Sequence, residues 1–169
     1  MPSPLDITLK DLEALPEPVR TQVKAMLNIK QALYDILGKY PQDNVLPYFY
    51  QAINTSGTAS TPNLSANGTG QNSIKISADS AFIACSICGA STGDFTCLMR
   101  QDASDRQLMN IAVNSNAFTG TAERPGYFHK PLLLAASTTV SFDVTDLSGQ
   151  TNQVWFTLAG FKVYNRKLG

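Results

Sequence analysis

Charge is what this sequence has least of. Asp, Glu, Lys and Arg make up only 15% of its 169 residues, and 13 basic groups balance 13 acidic ones. A globular chain usually carries about a quarter charged residues. The polar surface must therefore come from Ser, Thr, Asn and Gln. A neutral, hydroxyl- and amide-rich surface attracts phosphate weakly, which argues against nucleic acid as a partner. Long hydrophobic runs are missing too. No apolar stretch approaches the roughly 18 residues of a membrane span, so no membrane partner is expected. The opening Met1-Pro2-Ser3-Pro4-Leu5-Asp6 has neither the basic region nor the apolar core of a secretory signal. The expected setting is a reducing cytoplasm.

Chemically active groups are also scarce. The sole histidine is His129, in Tyr127-Phe128-His129-Lys130-Pro131, and any Ser-His-Asp or Cys-His site would need it. No G-x-S-x-G elbow precedes a helix, no G-x-x-x-x-G-K-S/T cradle occurs, and Asn67-Gly68-Thr69-Gly70 has no adjoining lysine. Asp102 and Asp105, with Asp94 nearby, are too sparse for a calcium loop, and Arg100 and Arg106 flank them. Surface ion pairing is the better reading. The three cysteines cannot all pair with one another. Cys85 and Cys88 form a C-x2-C, with Cys97 nine residues on. Zinc with His129 as fourth ligand is one reading, and a redox pair is another. The preferred third makes them small strand fillers, because Ala81 to Cys88 looks like a strand that points Cys85 and Cys88 to opposite faces. The expectation is a chain without enzymatic activity, cofactor or metal.

What is present is alternation. Val140, Phe142 and Val144 alternate with Thr139, Ser141, Asp143 and Thr145, and Val154, Phe156 and Leu158 alternate with Gln153, Trp155 and Thr157. A period of two means strands with one buried face. Leu147 to Thr151 joins these two strands in a tight turn. Further strands are expected at Tyr48 to Ile53, Ile74 to Ser77, Ala81 to Ile87, Phe95 to Met99, Leu108 to Val113 and Pro131 to Leu134. Gly89 to Gly93 and Asp102 to Asp105 read as turns, and Asn54 to Ser73 as a long polar loop. The three N-x-S/T triplets at Asn54, Asn63 and Asn67 carry no weight. Short strands at roughly ten-residue spacing predict a mainly β protein, an antiparallel β-sandwich of jelly-roll-like type.

Residues 1–44 differ. Thr8 and Asp11 resemble a helix start, and Leu9, Leu12 and Leu15 follow at helical spacing until Pro16. Pro18 suits the first turn of a second helix, Gly38 its end, and Pro41 lies just beyond. Val19, Val23, Met26, Leu33 and Leu37 follow a 4-3 seam that Lys30 interrupts. The helix either lies on its own β-domain or forms an arm that packs on a neighbouring subunit. We divide the chain into an N-terminal helical arm and linker, 1–44, and a β-sandwich domain, 45–169. Trp155 lies opposite Val154, Phe156 and Leu158. It is an interface anchor, a core residue under a second layer, or a stacking platform for a ligand. The candidate interface residues are Val19, Val23, Met26, Leu33, Leu37 and Trp155.

Three segments carry a family resemblance: Phe118 to Leu134 with its Pro131-Leu132-Leu133-Leu134, Val140 to Asn152 with its F-x-V-T-D-x-S-G-x-x-N turn, and the closing Gly160-Phe161-Lys162-Val163-Tyr164. Together they resemble small β-sandwich structural proteins of tailed bacteriophage virions. The resemblance covers roughly the last fifty residues. It implies a non-enzymatic virion component assembled in the host cytoplasm, most simply a capsid cement or decoration protein. Its implied partners are itself, as a homotrimer or other symmetric oligomer, and the major capsid protein or other virion proteins. A collar, head-fibre or tail-associated module that binds a receptor or carbohydrate is the alternative.

Overall fold

A computed structural model describes residues 12–40, 44–54, 63–102, 106–121 and 125–164. Helix α1 spans Glu17–Leu37, with Pro18 in its first turn. The Gly38 N–H closes the helix on the Tyr34 carbonyl at 2.8 Å. The strands follow: β1 Val45–Gln51, β2 Ile53–Asn54, β3 Asn63–Leu64, β4 Thr69–Lys75, β5 Ser80–Ser91, β6 Phe95–Gln101, β7 Arg106–Gln107 and β8 Val113–Asn114. A short helix α2, Ser115–Phe118, precedes β9 Gly126–Leu134, β10 Thr139–Asp146 and β11 Asn152–Tyr164.

The protein is mainly β, and its two antiparallel sheets pack as a sandwich. One sheet has the order β1-β11-β5-β9, with β3 also on β11, and the other the order β2-β4-β10-β6-β7, with β8 on β6. The alternation read from the sequence selects the faces. Val140, Phe142 and Val144 from β10 meet Val154, Phe156 and Leu158 from β11 in one core with Phe82, Phe95 and Ile74. Phe156 is the hub. Its ring stacks on Phe142 at 4.7 Å and meets Phe95 edge-on at 5.6 Å. Offset and edge contacts of this kind add to the gain from burial alone.

The helix is not a free arm. Leu37 is buried with Ile83 and Val163, and Leu33, Ile36 and Tyr40 pack around them. Its last turns therefore cover part of the outer face of the β1-β11-β5-β9 sheet, as in the first of the two readings above. Leu33 and Leu37 thus find an apolar patch on their own domain. Val23 is half-buried. The side chains of Val19 and Met26, and the helix start expected at Thr8 to Asp11, lie outside the described residues.

Three other expectations change. Gly89, Ala90 and Ser91 are not a turn but the end of β5, held by pairing with Val154 to Phe156. The polar stretch Thr69 to Ser73 is not loop but strand, because β10 pairs along it. Leu108 to Ala112 is irregular chain, with strand only at Val113–Asn114. In the first two cases pairing with a long neighbouring strand outweighs local composition.

Candidate interaction surface

The register defines the outer face of the helix-bearing sheet. Phe49 lies beside Ala159, Ala159 beside Ser86, and Ser86 beside Tyr127, so the four form a row across β1, β11, β5 and β9. Gln51, Thr157 and Cys88 form the next row, and Trp155 beside Ala90 the one beyond. None of these side chains is charged. Phe49 is 70% exposed and Tyr127 51% exposed, while Trp155 is half-buried. The centre of the face is small, and aromatic rings stand at its margins. The helix covers Ile83 and Val163 farther along the same face, whereas the rows from Phe49 to Trp155 lie outside that cluster. Uncharged aromatic surface is the composition of interface cores, where Trp and Tyr anchor and charge is depleted.

Trp155 thus points outward, opposite the buried Val154 and Phe156. Phe49 and Tyr127 share its face two rows away, although more than a hundred residues separate Phe49 from Trp155. Phe49 sits in Tyr48-Phe49-Tyr50, a run that gives no sign of which ring faces solvent.

The cysteine geometry differs from expectation. The register slips between Ala84 and Ser86, where Cys85 is the extra residue of a β-bulge. The bulge brings Cys85 and Cys88 to the same outer face, Cys85 under the helix cluster and Cys88 beside Thr157. Burial pushes the Cys85 thiol up to about 11. Cys97 lies in the core between the sheets, and burial, with the Asp143 charge behind it, pushes its thiol up to about 12. Both stay protonated at neutral pH, the inert state of a buried thiol.

His129 is exposed on β9. Asp102 accepts a 2.6 Å hydrogen bond from the Ser141 hydroxyl and lies 3.9 Å from Arg100. Asp105 lies outside the described residues. Arg100 also pairs with Asp143 at 3.1 Å, and Gln71 donates to Asp143 at 2.7 Å. This network lies on the outer face of the other sheet, where Thr69, Thr145, Ser141 and Asn114 surround it. The two outer faces are therefore unlike: one aromatic and uncharged, the other hydroxyl- and ion-pair-rich.

Two further polar features are internal. Asp146 ends β10 with its carboxylate buried. One oxygen accepts from the Asn67 and Gly149 N–H groups at 2.9 and 3.0 Å. The other accepts from the Ser148 hydroxyl at 2.7 Å, the Ser148 N–H at 3.1 Å and Asn152 Nδ2 at 3.0 Å. The Ser148 hydroxyl leads in holding the carboxyl well below the usual carboxylate range, against the opposing effect of burial. Gly149 has φ +69, which suits glycine. The F-x-V-T-D-x-S-G-x-x-N pattern is thus the sequence signature of this knot. Lys162 is the second feature. Its ammonium donates to Ser77 Oγ at 2.9 Å and lies 4.1 Å from the Tyr48 ring and 5.3 Å from the Tyr50 ring. Burial pulls its pKa down, but the Tyr50 hydroxyl and the surrounding tyrosines outweigh that, and the net shift is upward. A cation held by ring faces needs no carboxylate partner.

No protein-family model matches the chain, and no curated protein matches it.

Proposed function

We propose that this protein is a non-enzymatic structural component that works by docking, and that it serves in a bacteriophage virion as a capsid cement or decoration protein. The observation that carries the docking role is the uncharged face bearing Phe49, Tyr127 and Trp155. Large aromatic groups on a shared face lower their free energy by leaving water against a partner. The winding supports the virion reading. Consecutive long strands alternate between the sheets, and β1 lies beside the last strand, β11. We read this as a jelly-roll-like winding, an architecture that viral capsid and lectin domains share, so its support is by fold-level analogy alone. The resemblance of the Asp146–Asn152 turn and the closing strand points the same way. A small interface repeated over a symmetric shell gains strength by avidity.

The test is particle stability. Particles lacking the protein should rupture at lower temperature than complete ones, and adding back the Trp155→Ala protein should restore them poorly. Equal stability with and without the protein would sink the cement role.

A second reading, a receptor- or carbohydrate-binding module of a collar, head fibre or tail, draws on the opposite face. Gln71, Asp143 and Arg100 present amide, carboxylate and guanidinium groups beside a shallow groove lined by Thr69, Gly70 and Thr145. Such groups suit sugar hydroxyls. Binding to glycans or host surfaces that Arg100→Ala abolishes would favour this reading.

A further inference from the structure

β9 leaves its sheet in mid-course. Between the pairs Ala84–Leu132 and Ser86–Tyr127, β5 has only Cys85, whereas β9 has Phe128, His129, Lys130 and Pro131. Pro131 has no backbone N–H to give a ladder, which agrees with its place in the unpaired stretch. Bulges re-aim side chains and are over-represented beside functional sites. This one borders a cavity of about 370 Å³, enclosed between β9, the end of α1 and the end of β6. The walls are fixed by the fold. Leu134 lines the cavity from the core, at 2% exposure. Leu108 is held by its N–H on the Met99 carbonyl at 3.0 Å, and Gln101 by pairing with Val140. On the helix side, the Lys39 and Tyr40 N–H groups donate to the Ile36 and Leu37 carbonyls at 3.2 and 3.0 Å. A preformed cavity spares a ligand the cost of ordering it.

The charge around this cavity is one-sided. Lys39, from the turn after α1, and Lys130, from the bulge, both line it and are both exposed. Among the described residues neither lysine has an ion-pair partner, and no acidic residue lines the cavity. The Gln101 amide and the Tyr40 hydroxyl in its wall can each donate a hydrogen bond. The remaining wall is aliphatic, from Ile36, Leu108 and the run Pro131 to Leu134. Two cations and two donors without a carboxylate among them suit an anion, and aliphatic walls suit an apolar body behind it.

We infer that this cavity binds a small carboxylate with an apolar body. The carboxylate sits at the rim between Lys39 and Lys130, and the hydrocarbon part lies against Leu108, Leu132 and Leu134. Ligand pockets run from about 300 to 1,000 Å³, so this one lies at the small end. It suits a ligand of about a dozen non-hydrogen atoms, a medium-chain or aromatic acid. The lysines stay in water and salt screens them, so the affinity is modest. A ligand of that size at ordinary efficiency binds with a Kd on the order of 1 mM. None of Phe49, Tyr127 and Trp155 lines the cavity, so this site and the docking face can each fail without the other.

Octanoate titrated into the full chain, followed by methyl NMR, tests the assignment. Saturable shifts should be confined to the methyl groups of Ile36, Leu108 and Leu132 to Leu134. Octanamide, which has the same body without the charge, should bind about three-fold more weakly or worse, and octyltrimethylammonium should not enter. The double variant Lys39→Gln, Lys130→Gln alters only exposed side chains, so its fold should be intact. It should lose about five-fold in affinity for octanoate and almost nothing for octanamide. A merely structural role for the lysines would weaken both ligands alike. Leu133→Trp, at a position 54% exposed, should block the cavity to both ligands with a near-native urea midpoint. No saturable shift at concentrations well above the expected Kd would overturn the inference. So would shifts scattered over other methyl groups, equal affinity for the three head groups, or octanoate binding that neither variant weakens.

Discussion

At the closing turn, Asp146 gives both carboxylate oxygens to five donors of its own chain, whereas along β1 and the adjoining face Phe49, Tyr127 and Trp155 turn aromatic surface to solvent. The first region is internally complete. Asn152 extends it, with Nδ2 reaching the Gly93 carbonyl at 2.9 Å while Thr92 donates to its Oδ1 at 3.2 Å. The second region leaves its largest groups without internal use. Groups that satisfy one another stabilise a monomer, and groups that cannot do so require a partner. The comparison implies that substitutions at the knot act on folding and substitutions at the aromatic face act on association.

The largest expected effect is at Asp146. Asp146→Ala leaves three buried-side N–H donors and two side chains without their common acceptor, and the thermal midpoint should fall further than for any variant below. Acid provides a finer version. The folded-state pKa lies below the unfolded value, so the carboxylate contributes stability that is present above about pH 4 and lost as pH falls further. The gap between the urea midpoints of the wild type and Asp146→Asn should therefore begin to narrow below about pH 4 and go on narrowing toward the much lower folded-state pKa. A constant gap would mean that the charge contributes nothing. Neither variant should alter association measured where it is still folded.

Trp155→Ala should behave in the opposite way. A half-buried side chain costs about 1–2 kcal/mol of folding stability when truncated. An interface anchor costs about 2 kcal/mol or more of binding, roughly a thirty-fold loss. Loss of partner binding by a protein with near-native urea midpoints would support the contrast. A large fall in stability without change in association would place Trp155 on the folding side of it.

Gly149→Ala sharpens the knot alone. At φ +69 a side chain costs about 1 kcal/mol, and the open space around the site leaves no steric penalty beyond that. Equilibrium unfolding should show this small loss, with oligomeric state unchanged. A loss of several kcal/mol would mean that the turn tolerates no relaxation.

The difference between the regions was only partly legible in the sequence. Period-two alternation located the strands β10 and β11 and turned Trp155 outward, because one-sided burial imposes that pattern directly. The knot appeared as a motif without a mechanism. Asp146 and Asn152 are polar, and nothing in a polar residue announces that it is buried until its donors, from Asn67 to Asn152, are brought together. The helix end followed from Gly38, but its seat on Ile83 and Val163 depended on the bulge at Cys85, which no local residue preference marks. Lys162 shows the same limit: nothing in Gly160-Phe161-Lys162-Val163-Tyr164 marks it as buried beside Tyr48 and Tyr50. Long-range register decides these features, and register belongs to pairs of strands rather than to segments.

The smallest expected effect lies on the polar face, and it tests whether the contrast extends beyond the knot. Arg100 bridges Asp143 and Asp102, but all three side chains are at least a third exposed. Water screens such pairs, so Arg100→Ala should cost about 0–1 kcal/mol and no self-association. Chemical denaturation read beside glycan binding separates the possibilities. If the polar face is only a solvated surface, both measurements should remain near wild type. If it is a carbohydrate site, stability should hold while binding falls, because Gln71 and Asp143 would lose the cation that orients them. In that event the protein has two functional faces, and the aromatic one alone would not explain its role.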